Sequence, residues 1–411
     1  MVNDSSNPPP AAHSPTPGGR SDRAARSGAP EPPAAWWGGL LATGLQEEVD
    51  LVADPGALER GGWWFVVADF ASAVGEPSAL GGPGAGRARA WRFADVRPAP
   101  APPGGVWHGP APDAWTSSAD RAAYTAGVRA VRDLVRDGVV YQATLCRVLR
   151  APLPEPADPW ALAALLRSGN RAPYAGVLDL GEEGVVSASP ELFLRRRGDV
   201  VESGPIKGTA VPGGPLVGKD VAENVMITDL VRNDLQRVCR PGSVEVLALL
   251  AREAHPGLDH LVSTVRGRLR PGTTWAELLR ATFPPGSVSG APKRAALDAV
   301  AELETAPRGA YCGALGWVDA DRGTAELAVG IRTFSLAGRE LRLGTGAGIT
   351  WGSDPEQEWA ETELKAARLL AIASGAPVGP GGDGVRSPRH PAAGPGAPHP
   401  GSPPAGRAAG P

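Results

Sequence analysis

Between Ala175 and Ser203 the chain repeats one local pattern: a short apolar or alternating run, a glycine-bearing turn, and a second run of the same kind. Ala175–Leu180 and Val185–Ser189 flank Gly181-Glu182-Glu183-Gly184. Leu192–Arg196 and Val200–Ser203 flank Gly198-Asp199. Short alternating runs read as strands, and the turns between them return the chain antiparallel. This stretch therefore commits the chain to antiparallel sheet.

Helical patterns interrupt the strands elsewhere. Tyr124, Val128, Val131 and Val135 recur at spacings of 4, 3 and 4. They form the apolar stripe of a helix that Ser118 would cap and Gly138 would stop. Val139–Leu145 reads as a strand. Asp158-Pro159 opens a helix ended by Gly169, with an N-cap and a Pro at the first helical position. Residues 219–238 read as helix, stopped by Arg240-Pro241-Gly242. Thr274 and Glu277 have capping-box spacing. A longer helix is expected over Pro292–Glu304. Strands over Tyr311–Val318, Ala325–Leu336 and Leu341–Gly344 then lead into a last helix over Pro355–Ala373. From Trp36 to Val106 the chain reads as short strands, Trp63–Ala68 being one apolar run. Hairpins interrupted by helices predict an α+β fold with mainly antiparallel sheet.

Residues 1–34 and 376–411 are rich in Pro, Gly, Ala and Ser without periodicity and are expected to be disordered. The folded part, 35–375, divides into a strand-rich region at 35–117 and a second region at 118–375. The formal charge of −3 gives no basic field for nucleic acid. No run is long and apolar enough for a membrane span, and the N-terminus lacks a secretory apolar core. Cys146, Cys239 and Cys312 are far apart and form no Cys-x-x-Cys, so reduced thiols in the cytoplasm are expected.

The chemistry-bearing residues cluster in the second region. Lys207 lies in Glu202-Ser203-Gly204-Pro205-Ile206-Lys207-Gly208-Thr209, at the end of a strand-like run. Pro205 fixes its own φ and Gly208 allows close approach, so the lysine is held in place. An amine kept from water can serve as a nucleophile. Alone, the octapeptide reads first as a surface lysine in a turn. Asp220 and Glu223, and Glu358 and Glu361, are i, i+3 pairs, each pointing from one helix face. Two such faces meeting make an all-oxygen site suited to Mg²⁺ bridged to an anionic substrate; apart, they are ordinary solvated charges. The run Gly344-Thr345-Gly346-Ala347-Gly348-Ile349 reads as a loop whose backbone amides cradle an anion. Gly286–Lys293 reads as a second Gly-rich turn, at a helix start. Arg332 suits a carboxylate. His260 is either a donor to substrate or a satisfied core histidine.

In order along the chain stand Ser187-Ala188-Ser189-Pro190-Glu191-Leu192-Phe193, Pro205-Ile206-Lys207-Gly208-Thr209, Ala222-Glu223-Asn224-Val225-Met226-Ile227, Asp229-Leu230-Val231-Arg232-Asn233-Asp234, His260-Leu261-Val262-Ser263, Gly290-Ala291-Pro292-Lys293 and Asp354-Pro355-Glu356. Together they resemble the chorismate-utilising enzymes: anthranilate, aminodeoxychorismate, isochorismate and salicylate synthases. The resemblance covers about residues 36–373 and is strongest over 118–373. It implies a large antiparallel two-sheet β-sandwich flanked by helices, in four α/β/β/α layers, with 118–375 as the chorismate-binding catalytic domain.

Two positions sort the subfamilies within that resemblance. Anthranilate, isochorismate and salicylate synthases usually carry Ala at the position of Lys207; lysine there marks aminodeoxychorismate synthase component I, in which it attacks C2 of chorismate. Water-using members carry a lysine base at the position of Gln142. The resemblance further implies Mg²⁺ held by Glu223 and Glu361, with Asp220 and Glu358 supporting. It implies Glu191 as general acid, and Arg332 and Tyr311 on the enolpyruvyl carboxylate. The amides of Gly346, Ala347 and Gly348 lie nearby with Lys365, and Thr209, His260 and Ser287 contact substrate. Thr144, Ala210 and Asp220 depart from the family's usual Asn, Arg and Glu. No Gly-x-Cys-x-Gly elbow is present, so ammonia is expected from a separate glutamine amidotransferase subunit. The alternatives are an anthranilate synthase component I, an isochorismate synthase, a Schiff-base lysine enzyme, and a silent chorismate-binding subunit.

Overall fold

Trp63-Trp64-Phe65-Val66-Val67-Ala68 is apolar at every position because both faces of the strand it forms are covered. Trp64, Val66 and Ala68 enter one buried cluster, while Trp63, Phe65 and Val67 enter another. Successive strand side chains point to opposite faces, so a strand with two cores needs no polar alternation.

The computed structural model describes residues 29–375 apart from 73, 75–85, 211–213, 215–217 and 256–257. The tails expected at 1–28 and 376–411 lie outside the described residues. Residues 29–34, expected to belong to the N-terminal tail, are described, and Ala34 begins the first strand. In chain order the strands are β1 (Ala34–Trp37), β2 (Leu40–Asp50), β3 (Trp63–Ala68), β4 (Ala88–Pro98), β5 (Thr116–Ser117), β6 (Gln142–Pro152), β7 (Tyr174–Asp179), β8 (Glu183–Ser189) and β9 (Leu192–Arg197). They continue as β10 (Val200–Gly204), β11 (Ile206–Ala210), β12 (Glu245–His255), β13 (Leu258–Arg268), β14 (Gly290–Ala291), β15 (Ala314–Asp319), β16 (Thr324–Val329), β17 (Thr333–Ala337) and β18 (Glu340–Ile349). The helices are α1 (Arg121–Arg136), α2 (Pro159–Gly169), α3 (Gly218–Gln236), α4 (Trp275–Thr282), α5 (Lys293–Leu303) and α6 (Pro355–Ala373).

The expected α+β character holds: all the ladders between these strands are antiparallel, and their pairings join them into one network. Both expected hairpins form, β7 with β8 and β9 with β10. The N-terminal strands are woven into the rest, β1 pairing with β7 and β3 with β15. Strands β1, β3, β4, β7, β15 and β16 share a core containing Trp37, Phe65, Trp91, Leu178, Leu315 and Ala328. The other clusters lie where helices cover sheet. Ile227, Val231 and Leu235 of α3 and Leu278 and Leu279 of α4 pack in one. Leu162 and Leu166 of α2 and Leu369 of α6 pack in a second. Tyr124, Val128 and Val131 of α1 pack in a third.

Local signals set most helix ends. Asp158 caps α2, accepting from Trp160 N and Ala161 N, and the Thr274–Glu277 capping box is present. The cap of α1 is Asp120, not Ser118: Asp120 accepts from Ala123 N, whereas Ser118 Oγ accepts from Val148 N across to β6. Val139 and Val140 precede the strand rather than join it, because Val139 N still bonds back to Leu134 O at the end of α1.

Candidate active site

Lys207 sits on β11, directly after Pro205. Pro205 has no N–H to offer, but its carbonyl accepts from Ser263 N of β13 at 3.1 Å, so the strand stays attached. The Lys207 side chain is 16% exposed, with Nζ 3.9 Å from Glu223 Oε2 on α3. Gly208 has φ +85, and a Cβ there would stand 3.0 Å from Asp220 Cβ. The glycine lets the first turn of α3 lie against the lysine strand. Asp220 and Glu223 thus both lie beside β11.

Glu191 stands between β8 and β9, and its main chain is fixed on both sides. Glu191 N donates to Ser189 Oγ at 3.2 Å, Ser189 Oγ donates to Val329 O at 2.7 Å, and Val329 N donates to Glu191 O at 3.1 Å. The carboxyl group is buried (3% exposed). Burial pushes it up to about 7, against the opposing pull of the Ser287 hydroxyl, the Lys207 ammonium and the Ile206 N–H. Glu191, Ser287, Lys207 and Glu223 thus form one connected set.

The Gly344–Ile349 run is not a loop. It is the end of β18, and its residues pair with β6 from Gly344 opposite Val148 to Ile349 opposite Ala143. Its glycines answer to close neighbours rather than to a nest of amides. A Cβ on Gly344 would run into the Tyr311 ring, and one on Gly346 into Cys146 and the Leu145 carbonyl. One on Gly348 would run into Gln142 Nε2 and stand 3.5 Å from Lys207 Nζ. Positions 344, 346 and 348 alternate, so the glycines lie on one face of the strand, where Tyr311, Cys146 and Gln142 pack close over them. From Tyr311 at one end to Gln142 and Lys207 at the other, this floor spans roughly 13 Å, four residues at ~3.3 Å each.

The second helix face meets the same strand. Lys365 Nζ donates to Gly346 O at 3.0 Å and pairs with Glu361 Oε1 at 2.6 Å. Burial raises the Tyr124 hydroxyl most, followed by Cys146, Glu358 and Glu361, and that hydroxyl donates to Leu145 O at 3.1 Å. Glu358 is buried, while Glu361 is half-buried and salt-bridged.

Arg332 breaks what the sequence reads as a single strand over Ala325–Leu336. Its φ of +50 separates β16 from β17, and its carbonyl accepts from Ala188 N at 3.0 Å. The guanidinium makes no ion pair or hydrogen bond among the described residues, and burial alone lowers its pKa. A desolvated cation of this kind is complementary to an anion. Tyr311 is buried with its hydroxyl raised by burial and by Cys312 and Cys146. The expected strand there starts only at Ala314. His260 is buried on β13 opposite Thr209. The Thr209 side chain lies outside the described residues.

Among the described residues no three His, Cys, Asp or Glu side chains stand together as a finished metal cluster. The four expected ligands are nonetheless all carboxylates, two of them buried at Glu223 and Glu358. That is the donor chemistry Mg²⁺ takes when a substrate anion supplies further oxygens.

Two features escaped the sequence. Gln142 is fully buried beside Gly348, and neither end of its carboxamide has a hydrogen-bond partner among the described residues. Only its lack of a basic nitrogen is legible in the sequence. Arg308 and Glu304 form a buried ion pair at 2.7 Å behind the site. Their i, i+4 spacing at a helix end was the available signal. Asn170, Arg171 and Ala172 line a separate cleft of about 130 Å³ with Trp36, Leu166 and Ser187.

Residues 88–371, more than half of the chain, match the family described as chorismate binding enzyme. Anthranilate synthase component 1 of Thermus thermophilus is 41% identical over 271 residues, covering 63% of this chain and 58% of that protein. Aminodeoxychorismate synthase of Streptomyces pristinaespiralis is 42% identical over 257 residues, covering 59% of this chain and 35% of that protein. The chain thus spans between a third and three-fifths of the length of these curated relatives. The crystal structure of anthranilate synthase component I from Streptococcus pneumoniae superposes with a TM-score of 0.68 at 23% identity, covering 82% of this chain and 92% of that one. It shares the fold. Taken with the ordered motifs and the connected Glu191, Ser287 and Lys207, the match places this chain in the chorismate binding enzyme family.

Proposed function

We propose that the chain is an aminodeoxychorismate synthase component I, which aminates chorismate at C4 to give 4-amino-4-deoxychorismate for 4-aminobenzoate and folate biosynthesis. The observation that carries this reading is Lys207, held between Glu191 and Glu223 at the end of the glycine floor. An alanine there would leave no nucleophile. The shared core between β-strands, with helices outside it, is what a two-sheet α/β/β/α layering requires.

In this reading the Arg332 guanidinium and the Tyr311 hydroxyl hold the enolpyruvyl carboxylate at one end of the floor. The ring then lies toward Lys207 and Glu191. Lys207, its ammonium first losing one proton to water, forms a bond from the free amine to C2, the ring double bond shifts, and the C4–O bond breaks as Glu191 delivers its proton to the leaving oxygen. Water departs. Ammonia then bonds to C4, the double bond shifts back, and the C2–N bond to Lys207 breaks. Two allylic displacements replace one crowded substitution. A carboxyl group near 7 holds its proton at working pH, as a general acid must. Mg²⁺, held by Glu223 and Glu361 with Asp220 and Glu358, would supply positive charge against the ring carboxylate. His260, Ser287 and Thr209 would line the substrate. Ammonia would come from a separate glutamine amidotransferase subunit, and the chain would work in the cytoplasm; no described helix is long and apolar enough to cross a membrane.

The test is purified chain with chorismate, Mg²⁺ and an ammonium salt, products resolved with and without an added aminodeoxychorismate lyase. The expected product becomes 4-aminobenzoate only with the lyase, and Lys207→Ala lowers its formation at least about a hundredfold. Anthranilate as main product would overturn the reading in favour of anthranilate synthase, the name carried by several relatives.

A further inference from the structure

Among the described residues, strand β6 has no neighbouring strand along part of one edge. It pairs with β14 at Gln142 and Ala143 and with β5 at Leu149 and Arg150. Between these, main-chain groups still need partners. Thr144 O accepts from Arg308 Nη2 at 2.7 Å, and Cys146 N donates to Glu304 Oε1 at 2.7 Å. The Glu304–Arg308 pair thus offers a donor and an acceptor where a strand would. Arg308 Nη1 also donates to Val288 O at 2.9 Å, and its guanidinium lies 4.0 Å from the centre of the Phe70 ring. Tyr311 N donates to Arg308 O at 3.2 Å. The pair is closed from water, its side chains being 2% and 8% exposed.

We propose that Arg308, braced by Glu304, is a positioning residue that sets the distance between the strand carrying Gln142 and the turn carrying Ser287, and so holds Ser287 on Glu191. One planar fork reaches Thr144, Val288 and Glu304 at once, which a lysine cannot do. A buried ion pair is a poor source of stability but a good source of geometric uniqueness. Glu191 also faces the Lys207 ammonium and the Ile206 N–H, and Asp234 of α3 lines the small cavity beside it with Ser203 and Thr282. Only the Ser287 contact runs through the turn that Arg308 holds.

The inference rests on Glu191 acting as the acid, and its test separates the two. Arg308→Lys and Glu304→Gln are compared with Ser287→Ala in the complete chain, with thermal melts to establish folding. In Arg308→Lys, kcat is expected to fall about ten- to a hundredfold at nearly unchanged KM for chorismate. Moving the Ser287 hydroxyl away from Glu191, which lines the same small cavity, lets Glu191 hold its proton more tightly, so the alkaline limb of kcat/KM moves up by about half a pH unit, as in Ser287→Ala. Glu304→Gln moves it the same way by less, and carries the test if Arg308→Lys does not fold. A folded variant with reduced kcat and a wild-type limb overturns the positioning role. Full activity in Glu191→Gln would instead overturn the reading of Glu191 itself.

Discussion

Glu191 shows what a single residue's surroundings add to a motif. The Ser-Pro-Glu-Leu-Phe sequence names the residue, but only burial gives it a pKa of about 7. A group that must deliver a proton loses function as pH rises through its pKa. At constant free ammonia, kcat/KM is therefore expected to be level below about 7 and to fall about tenfold per unit above it. Glu191→Gln should remove that limb and cost roughly 10²- to 10⁴-fold in rate. A limb that survives the substitution would assign it to another group. Gln142 marks the limit of such reading from sequence. Its identity is visible there, but its unpartnered carboxamide beside Lys207 depends on β18, two hundred residues away in round terms.

At the scale of elements, local rules located most helices and hairpins because caps, turns and periodicities act over a few residues. They failed at Gly344–Ile349 for an equally physical reason. Glycine-rich sequence favours loop locally, but ten paired residues across from β6 override it. What the glycines supply is room for neighbours that pack against the backbone itself, which makes Gly348 the sharpest probe of the strand. Gly348→Ala places a methyl group against Gln142 Nε2 and beside Lys207 Nζ. We expect a folded protein with at least about tenfold lower kcat/KM, since displacement of the reacting groups by ~1 Å costs up to about a hundredfold. Gly104→Ala, whose added carbon meets nothing within 4 Å, serves as the control. Equal activity of the two variants would refute the floor.

For the whole molecule, the N-terminal strands were legible as strands without any hint of their partners, because pairing at long range leaves no local trace. Their energetic weight lies in the two-sided burial of β3. Trp64→Ala and Phe65→Ala empty different cores and should each cost about 3–5 kcal/mol, read from urea or thermal unfolding. A cost below about 1 kcal/mol for either would show that its side of the strand is not packed as described. The same strand bears on how the protein is made. Val66 pairs with Gly316, near the far end of the fold. On a ribosome, β3 emerges long before β15, and until then an aromatic strand keeps one edge open to other chains. The step most exposed to aggregation is therefore this wait during synthesis, and slowing elongation between the two strands should lower soluble yield without altering the finished enzyme.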